Sequence, residues 1–366
     1  MKLQLLTRRH EGKNLTDTCP TGYANHSHMG NTMKNDRIRL VLLCLGLSVA
    51  VASGGCSYVA SSTPGVSLAE PVERANWSFG NRTGQALSTT HYNIYTTSGN
   101  RNLLNWLPGF LERAHENDLR LTGLPAERLA RPAPVYLLSD RNQWTAMTEK
   151  MTGPDAAIYL SLENGGYCFR GSCVLWDMGH VATFGVAAHE CMHQLLQQRL
   201  RDPLPAWVEE GLCSLAEGFA LRADTVRFDP TTNPQRLTNL RDIISQDRWT
   251  PLAKLLASDA SDYLGNGPTA PDYYAQLWAM MNYIRSEPRY RAGLERLLAQ
   301  AAAGQLRKEI KTTARSGREY VLTSSVPAFR HYIDANLAVF EKEFRAYAKG
   351  LAKMTEKPKS NWYIPD

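Results

Sequence analysis

Hydrophobic positions recur with two different periods along this chain, first the period of strands and then the period of helices. Ser88 to Thr97, STTHYNIYTT, alternates apolar and polar residues and predicts a strand. Arg101 to Leu121 carries Leu103, Leu104, Leu107, Phe110, Leu111 and Ala114 at helical spacing. Pro134 to Leu138 predicts a second strand, and Asn142 to Lys150 a short helix. Ala156 to Leu160 and Gly165 to Trp176 read as further strands, the latter folded into a hairpin at Arg170-Gly171, which sets Cys168 opposite Cys173. From Val186 onward helical patterns dominate, with clear runs after Ala206, from Tyr273, from Arg291 to Ala303 and from Ala328 to Lys349. Residues 222–248 and Asp259 to Pro271 read as loops around short helices. The pattern is α+β, strand-rich first and mainly helical afterwards.

The chemistry concentrates where the two halves meet, in VAAHECMHQLLQQRLRDPLPAWVEEGLCSLAEGF, Val186 to Phe219. His189-Glu190-Cys191-Met192-His193 spells HExxH, and histidines at i and i+4 project from one helical face close enough to hold one metal ion. Glu190 sits beside the first of them, where a carboxylate can take a proton from a water as general base. Asp202-Pro203-Leu204-Pro205 stops that helix, because proline cannot continue it. A catalytic zinc needs a third protein ligand and an open fourth position, and Glu210 on the next helical stretch supplies a carboxylate. Glu217, two turns beyond Glu210, is a candidate to orient a ligand, with a solvent-facing role as the alternative.

HExxH followed by P-x-W-x-x-E-G, here Pro205 to Gly211, resembles the gluzincin metallopeptidases, particularly the aminopeptidase N and leukotriene A4 hydrolase group. The segment between the two motifs is two residues shorter here. A set of uncharacterised bacterial peptidase-MA-like proteins is similar in this respect. The resemblance spans roughly Ser88 to Ile284. It implies a zincin-like domain, a small mixed sheet plus the HExxH helix, with Zn2+ held by His189, His193 and Glu210. It also implies a tyrosine donor on a downstream helix. Tyr274, 64 residues beyond Glu210 and followed by Leu277, Trp278, Met280 and Met281, matches, with Tyr273 as the fallback. The strand before the zinc helix, Val174 to Trp176, is implied to pair with an extended peptide, or else to be a plain core strand. The GxMEN stretch that anchors a substrate amine in that group is absent, Gly165-Gly166-Tyr167 standing near its place, so endopeptidase and exopeptidase action both remain open. The implied function is peptide-bond hydrolysis on a peptide or protein substrate. The alternative is a catalytically inactive zinc protein that binds envelope polypeptides.

Composition adds a location. Of the formal charge of +6, residues 1–39 hold seven basic against three acidic residues, which leaves the rest near neutral; with no basic patch interleaved with aromatics, there is no case for nucleic-acid binding. Translation from Met29 or Met33 would open on Lys34, Arg37 and Arg39, then the apolar run Leu40 to Ala52, then Ser-Gly-Gly-Cys. This has the form of an export signal, and the run is short for a membrane span. Cys56 after Gly54-Gly55 resembles a lipobox cysteine, with Ser53 where leucine is usual; lipid anchoring in the cell envelope is the first expectation and plain secretion the second. In an exported protein Cys168 and Cys173 are expected to form a disulfide. Cys191 and Cys213 are expected as free thiols, with a bridge between them as the alternative. The expected division is thus leader, 1–56; tether, 57–87; zincin-like part, 88–221; helical part, 222–350; tail, 351–366.

Overall fold

Strands and helices are interspersed up to β9, and helices alone follow, in the computed structural model, which describes residues 65–126, 131–162, 165–263, 269–310, 312 and 317–353. In chain order the elements are β1 (Val66–Ser67), β2 (Glu73–Phe79), β3 (Arg82–Ser88), β4 (Tyr92–Thr96), α1 (Arg101–Thr122), β5 (Ala133–Leu138), α2 (Arg141–Thr152), α3 (Ala156–Leu160), β6 (Gly166–Phe169) and β7 (Ser172–Trp176). Then follow α4 (His180–Arg199), α5 (Ala206–Ala216), β8 (Phe219–Arg222), β9 (Thr225–Phe228), α6 (Pro234–Ser245), α7 (Leu252–Ala257), α8 (Ala270–Ser286), α9 (Pro288–Ala303), α10 (Leu306–Glu309), α11 (Gly317–Tyr332) and α12 (Leu337–Lys353). The fold is α+β, as the hydrophobic pattern predicts. Among the described residues no helix is long and apolar enough to cross a membrane. The Leu40 to Ala52 run and Cys56 lie outside them.

Six strands form one mixed sheet in the order β2-β3-β4-β5-β7-β6, and β1, β9 and β8 form a smaller antiparallel one. β4, β5 and β7 run parallel: α1 returns the chain to the starting end of the sheet between β4 and β5, and after α2 and α3 the antiparallel strand β6 carries it back before the hairpin into β7. α1 is bounded by chemistry legible in the sequence: Asn100 accepts from the Leu103 N–H at its start, and Gly123, at φ 67°, closes it in the left-handed conformation that glycine adopts without strain. The β6–β7 hairpin turns at Arg170-Gly171, both at positive φ, the backbone of a two-residue turn.

Several expectations are corrected. Ala156–Leu160 is a helix, not a strand: Gly153-Pro154-Asp155 forms a 3-10 turn that leads directly into it, and Tyr159 packs on Tyr167 with ring centroids 4.5 Å apart. The expected tether, 57–87, contains β1, β2 and most of β3. β2 is largely exposed, so it lacks the apolar alternation that would have marked it, and cross-strand pairing from Glu73↔Ser88 to Phe79↔Arg82 holds it instead. The expected boundary at 221/222 falls inside the β8–β9 hairpin, and all described residues belong to one unit, Arg37–Asp366. Val174 to Trp176 is not free to pair with a peptide, since β7 lies between β5 and β6 and the sheet edge is β6.

Cys168 and Cys173 lie directly opposite each other, as the turn at Arg170-Gly171 requires, and both are buried with free thiols in the structure. Cys168 Sγ is directed at Gln197 Oε1, 3.7 Å away on α4, and Cys173 is shared between Cys168 and Cys191. Cys191 and Cys213 are also unbridged.

Helix α4 is clamped to the sheet by the same hairpin: Gln194 Nε2 donates to Pro134 O at 3.0 Å and to Gly171 O at 2.6 Å, and Gly171 N–H donates to Gln197 Oε1 at 3.2 Å. On its other side α4 meets α5, every residue of which is buried, and α5 is backed by α8. The α5–α8 approach depends on Gly211, where a β-carbon would lie 2.8 Å from Met281 Cε and 3.3 Å from Met281 Cβ. Gly211→Val is expected to cost about 1–3 kcal/mol of stability by overpacking, whereas in Gly211→Ala the mobile methionine end yields and the loss is smaller. Denaturant unfolding of both variants checks the order.

Candidate metal centre

His189 and His193 occupy one face of α4 and both are fully buried. Their Nε2 atoms converge to 3.2 Å. Glu210, from the first half of α5, brings Oε2 to 3.4 Å from His189 Nε2 and 3.6 Å from His193 Nε2. These are ion-pair contacts rather than hydrogen bonds, and Oε2 has no hydrogen-bond partner. Three donors bound tetrahedrally to one ion at about 2.0–2.1 Å stand about 3.3 Å apart. The observed triangle has those edges, so the donors fit a metal ion. The three buried residues His189, His193 and Cys213 likewise carry donor atoms within 4.8 Å of one another. Glu210 is the better third donor because its oxygen is already at ligand spacing.

Each imidazole is held from behind. His189 Nδ1–H donates to Glu217 Oε1 at 2.7 Å, and His193 Nδ1–H donates to Glu209 Oε1 at 3.0 Å. With Nδ1–H so engaged, it is Nε2 of each ring that faces the centre, and its lone pair is what the neutral ring offers a metal ion. Glu217 is thus an orienting carboxylate, not a solvent-facing one. It is fixed in turn by Arg236, which donates through Nε at 2.9 Å and Nη2 at 2.7 Å, and by Asn233 Nδ2 at 2.9 Å. Asn233 also caps α6 by accepting from Arg236 N–H, so the start of that helix delivers both groups together.

Sequence reasoning missed Glu209, Asn233 and Arg236. Glu209 neighbours the expected ligand and stands about 100° around α5 from it. The two carboxylates therefore bracket one imidazole, a relation visible only once α4 and α5 are packed. Asn233-Pro234 was legible as a helix start, but nothing in that weakly periodic stretch tied it to His189.

Glu190 is fully buried, and neither carboxylate oxygen has a hydrogen-bond partner. Burial pushes its carboxyl up to about 7. Burial would also raise Glu210 and Glu217, but His193 and His189 hold Glu210 at about 2, and Arg236 and His189 hold Glu217 at about 2. For the histidines burial works the other way. It lowers His189 and His193, and the acidic groups around them, Glu210 and Glu217 for the first and Cys213, Glu210 and Glu209 for the second, outweigh it and raise both. The acidic shell thus draws positive charge to the two rings, as protons or as a cation in their place.

Tyr274 is brought to the centre: its ring packs edge-on against His189 with centroids 5.8 Å apart, and the Arg236 guanidinium lies over its other side, 4.9 Å from the centroid. Tyr273 directs its hydroxyl to Ser258 O at 3.3 Å. Cys191 lies away from the donors, beside Cys173.

Residues 181–303, about a third of the chain, match a family model described as a protein of unknown function (DUF1570). The matched stretch runs from α4 into α9 and contains every residue of the centre. No curated protein and no solved structure matches the chain.

Glu210→Ala should abolish tight metal retention, while Glu209→Ala should weaken it by about 10–100-fold through loss of the His193 contact. Competition with a chelator measures both. A Glu209→Ala protein that holds metal as tightly as the parent would remove Glu209 from the centre.

Proposed function

We propose that this protein is a zinc-dependent peptidase of zincin type that hydrolyses peptide bonds in polypeptides of the bacterial cell envelope. The observation that carries the reading is the triangle of His189 Nε2, His193 Nε2 and Glu210 Oε2 at metal-ligand spacing, with the unpartnered carboxylate of Glu190 adjoining on α4. His189, His193 and Glu210 would hold the ion. Two imidazoles and a carboxylate suit zinc, which when bound supplies Lewis acidity, polarising a carbonyl and lowering the pKa of water to about 7.

The protein's own groups then divide the proton and charge chemistry. Glu190 takes a proton from the attacking water and passes it to the leaving amine. A carboxyl near 7 is suited to both directions of transfer, and a neighbouring divalent charge draws it toward the ionised, basic form. Glu209 and Glu217 keep the imidazoles oriented. Tyr274, packed on His189, is the donor assigned to the oxyanion that develops on the substrate carbonyl. Because His189, Glu190, His193 and Tyr274 are all buried, a peptide reaches them only when the surrounding cover parts.

That burial favours a second reading, a metal-holding module that binds polypeptides without cutting them. Glu190 separates the two, since a carboxylate that binds no metal and makes no hydrogen bond has no task in a purely structural site.

Glu190→Gln should retain metal and fold but lose turnover of an unbiased peptide library, because an amide cannot accept the proton. Tyr274→Phe should lower turnover about 100- to 1000-fold with little change in substrate affinity. Undiminished cleavage by Glu190→Gln would exclude the peptidase reading, and a wild-type protein that binds metal but cleaves nothing would favour the module.

A further inference from the structure

Cys213 is a side chain of a metal-ligating type at this centre to which the reading above gives no task. It lies three residues after Glu210 on α5, so the two share a helical face and approach the histidines from the same side. It is fully buried, and its sulfur lies within 4.8 Å of donor nitrogens on both His189 and His193. The other described thiols have different neighbours: Cys168 faces Gln197, and Cys173 lies between Cys168 and Cys191. Cys213 alone among them faces the imidazoles.

We propose that Cys213 is a fourth protein ligand, so that the resting centre is a closed set of two nitrogens, one oxygen and one sulfur. The proposal rests on the metal reading of the preceding subsection. Three protein donors plus solvent make an open site, and four protein donors make a closed one. Here every donor is buried, Glu190 and Tyr274 with them, so a donor from the protein is at hand where bulk water is not. Bonds of about 2.3 Å to sulfur and about 2.0 Å to nitrogen place those atoms about 3.5 Å apart around a tetrahedral ion. The 4.8 Å bound is longer by about 1.3 Å, a difference that rotation about the cysteine Cα–Cβ bond and contraction of the site around an ion can close.

On ligation the S–H bond breaks, the sulfur lone pair forms the bond to the ion, and the proton passes to buffer, so uptake of the ion releases one proton more than it would without the thiol. The added thiolate favours zinc and other thiophilic ions over magnesium, calcium or manganese, which prefer oxygen. It also makes access to the reactive centre conditional on Cys213 leaving the ion.

X-ray absorption at the zinc edge of the full chain loaded with one zinc tests this. The expected spectrum has one sulfur at about 2.3 Å and nitrogen or oxygen neighbours at about 2.0–2.2 Å. In Cys213→Ala the sulfur shell should disappear and the light-atom shell remain, while Cys191→Ala should leave both intact. A wild-type spectrum with light-atom neighbours alone overturns the proposal and leaves the three-donor site standing. A sulfur shell that survives in Cys213→Ala also overturns it. A chain that takes up no zinc defeats the metal reading and this proposal together. The wild-type spectrum decides even if Cys213→Ala does not fold.

Discussion

Burial of acidic groups around two imidazoles is the constraint on which the centre of this molecule depends. Glu209 and Glu210 are buried with His189 and His193, and the Glu217 side chain beside them is only 8% exposed; isolated carboxylates in such a place would be severely destabilising. Burial discourages Glu190 from carrying charge, and Arg236 answers one of the other three charges directly. Within this set, two further positive charges complete the balance. Two protons on the histidines would supply them, as would one divalent cation. The cation satisfies in addition the Nε2 lone pairs and the unpartnered Glu210 oxygen at the spacing the coordinates already have. The donors therefore have the spacing of a cation site, with Glu209 and Glu217 hydrogen-bonded to the imidazoles behind them.

The fold delivers these groups through rigid elements. α4 is tied to the sheet through Gln194 and Gln197, α5 is buried along its whole length against α8, and the start of α6 brings Asn233 and Arg236 to Glu217. The short Asp202–Pro205 connection is anchored as well: Arg201 and Asp202 donate backbone hydrogen bonds to Ala301 O on α9, at 3.1 and 3.0 Å. Trp278 Nε1, on α8, donates to Pro230 O at 2.8 Å and ties the segment between β9 and α6 to the same helix that carries Tyr274. Positioning thus comes from elements distant in sequence, and the centre takes residues from both sides of 221/222, within one compact unit.

How much of this was legible follows from where each signal lies. HExxH is a short-range pattern, so the placement of His189, Glu190 and His193 follows from helical spacing alone, and the E-G stretch after the prolines locates Glu210. The convergence of these groups, with Glu217 and Tyr274 against His189, is a property of the packed structure. β2 escaped notice because it is held by backbone pairing and exposed side chains rather than by apolar alternation. Ala156–Leu160 was misread because five apolar-rich residues fit either period, and the preceding Pro154 turn decides for helix. The Cys168–Cys173 register was readable from the turn, whereas the neighbours Gln197 and Cys191 reach the pair only through α4. Glu209 and Arg236 carried no local signal at all, since their roles arise between helices.

The most direct measurement is the metal content of the purified chain together with its unfolding temperature before and after chelation. An ion bound to the folded form alone stabilises it by about 4.1 kcal/mol at a free concentration a thousand times its dissociation constant. The account predicts one zinc per chain, a large fall in unfolding temperature on its removal, and recovery when zinc is restored. A chain that is metal-free as purified, and whose unfolding temperature responds to neither chelator nor zinc, would contradict it.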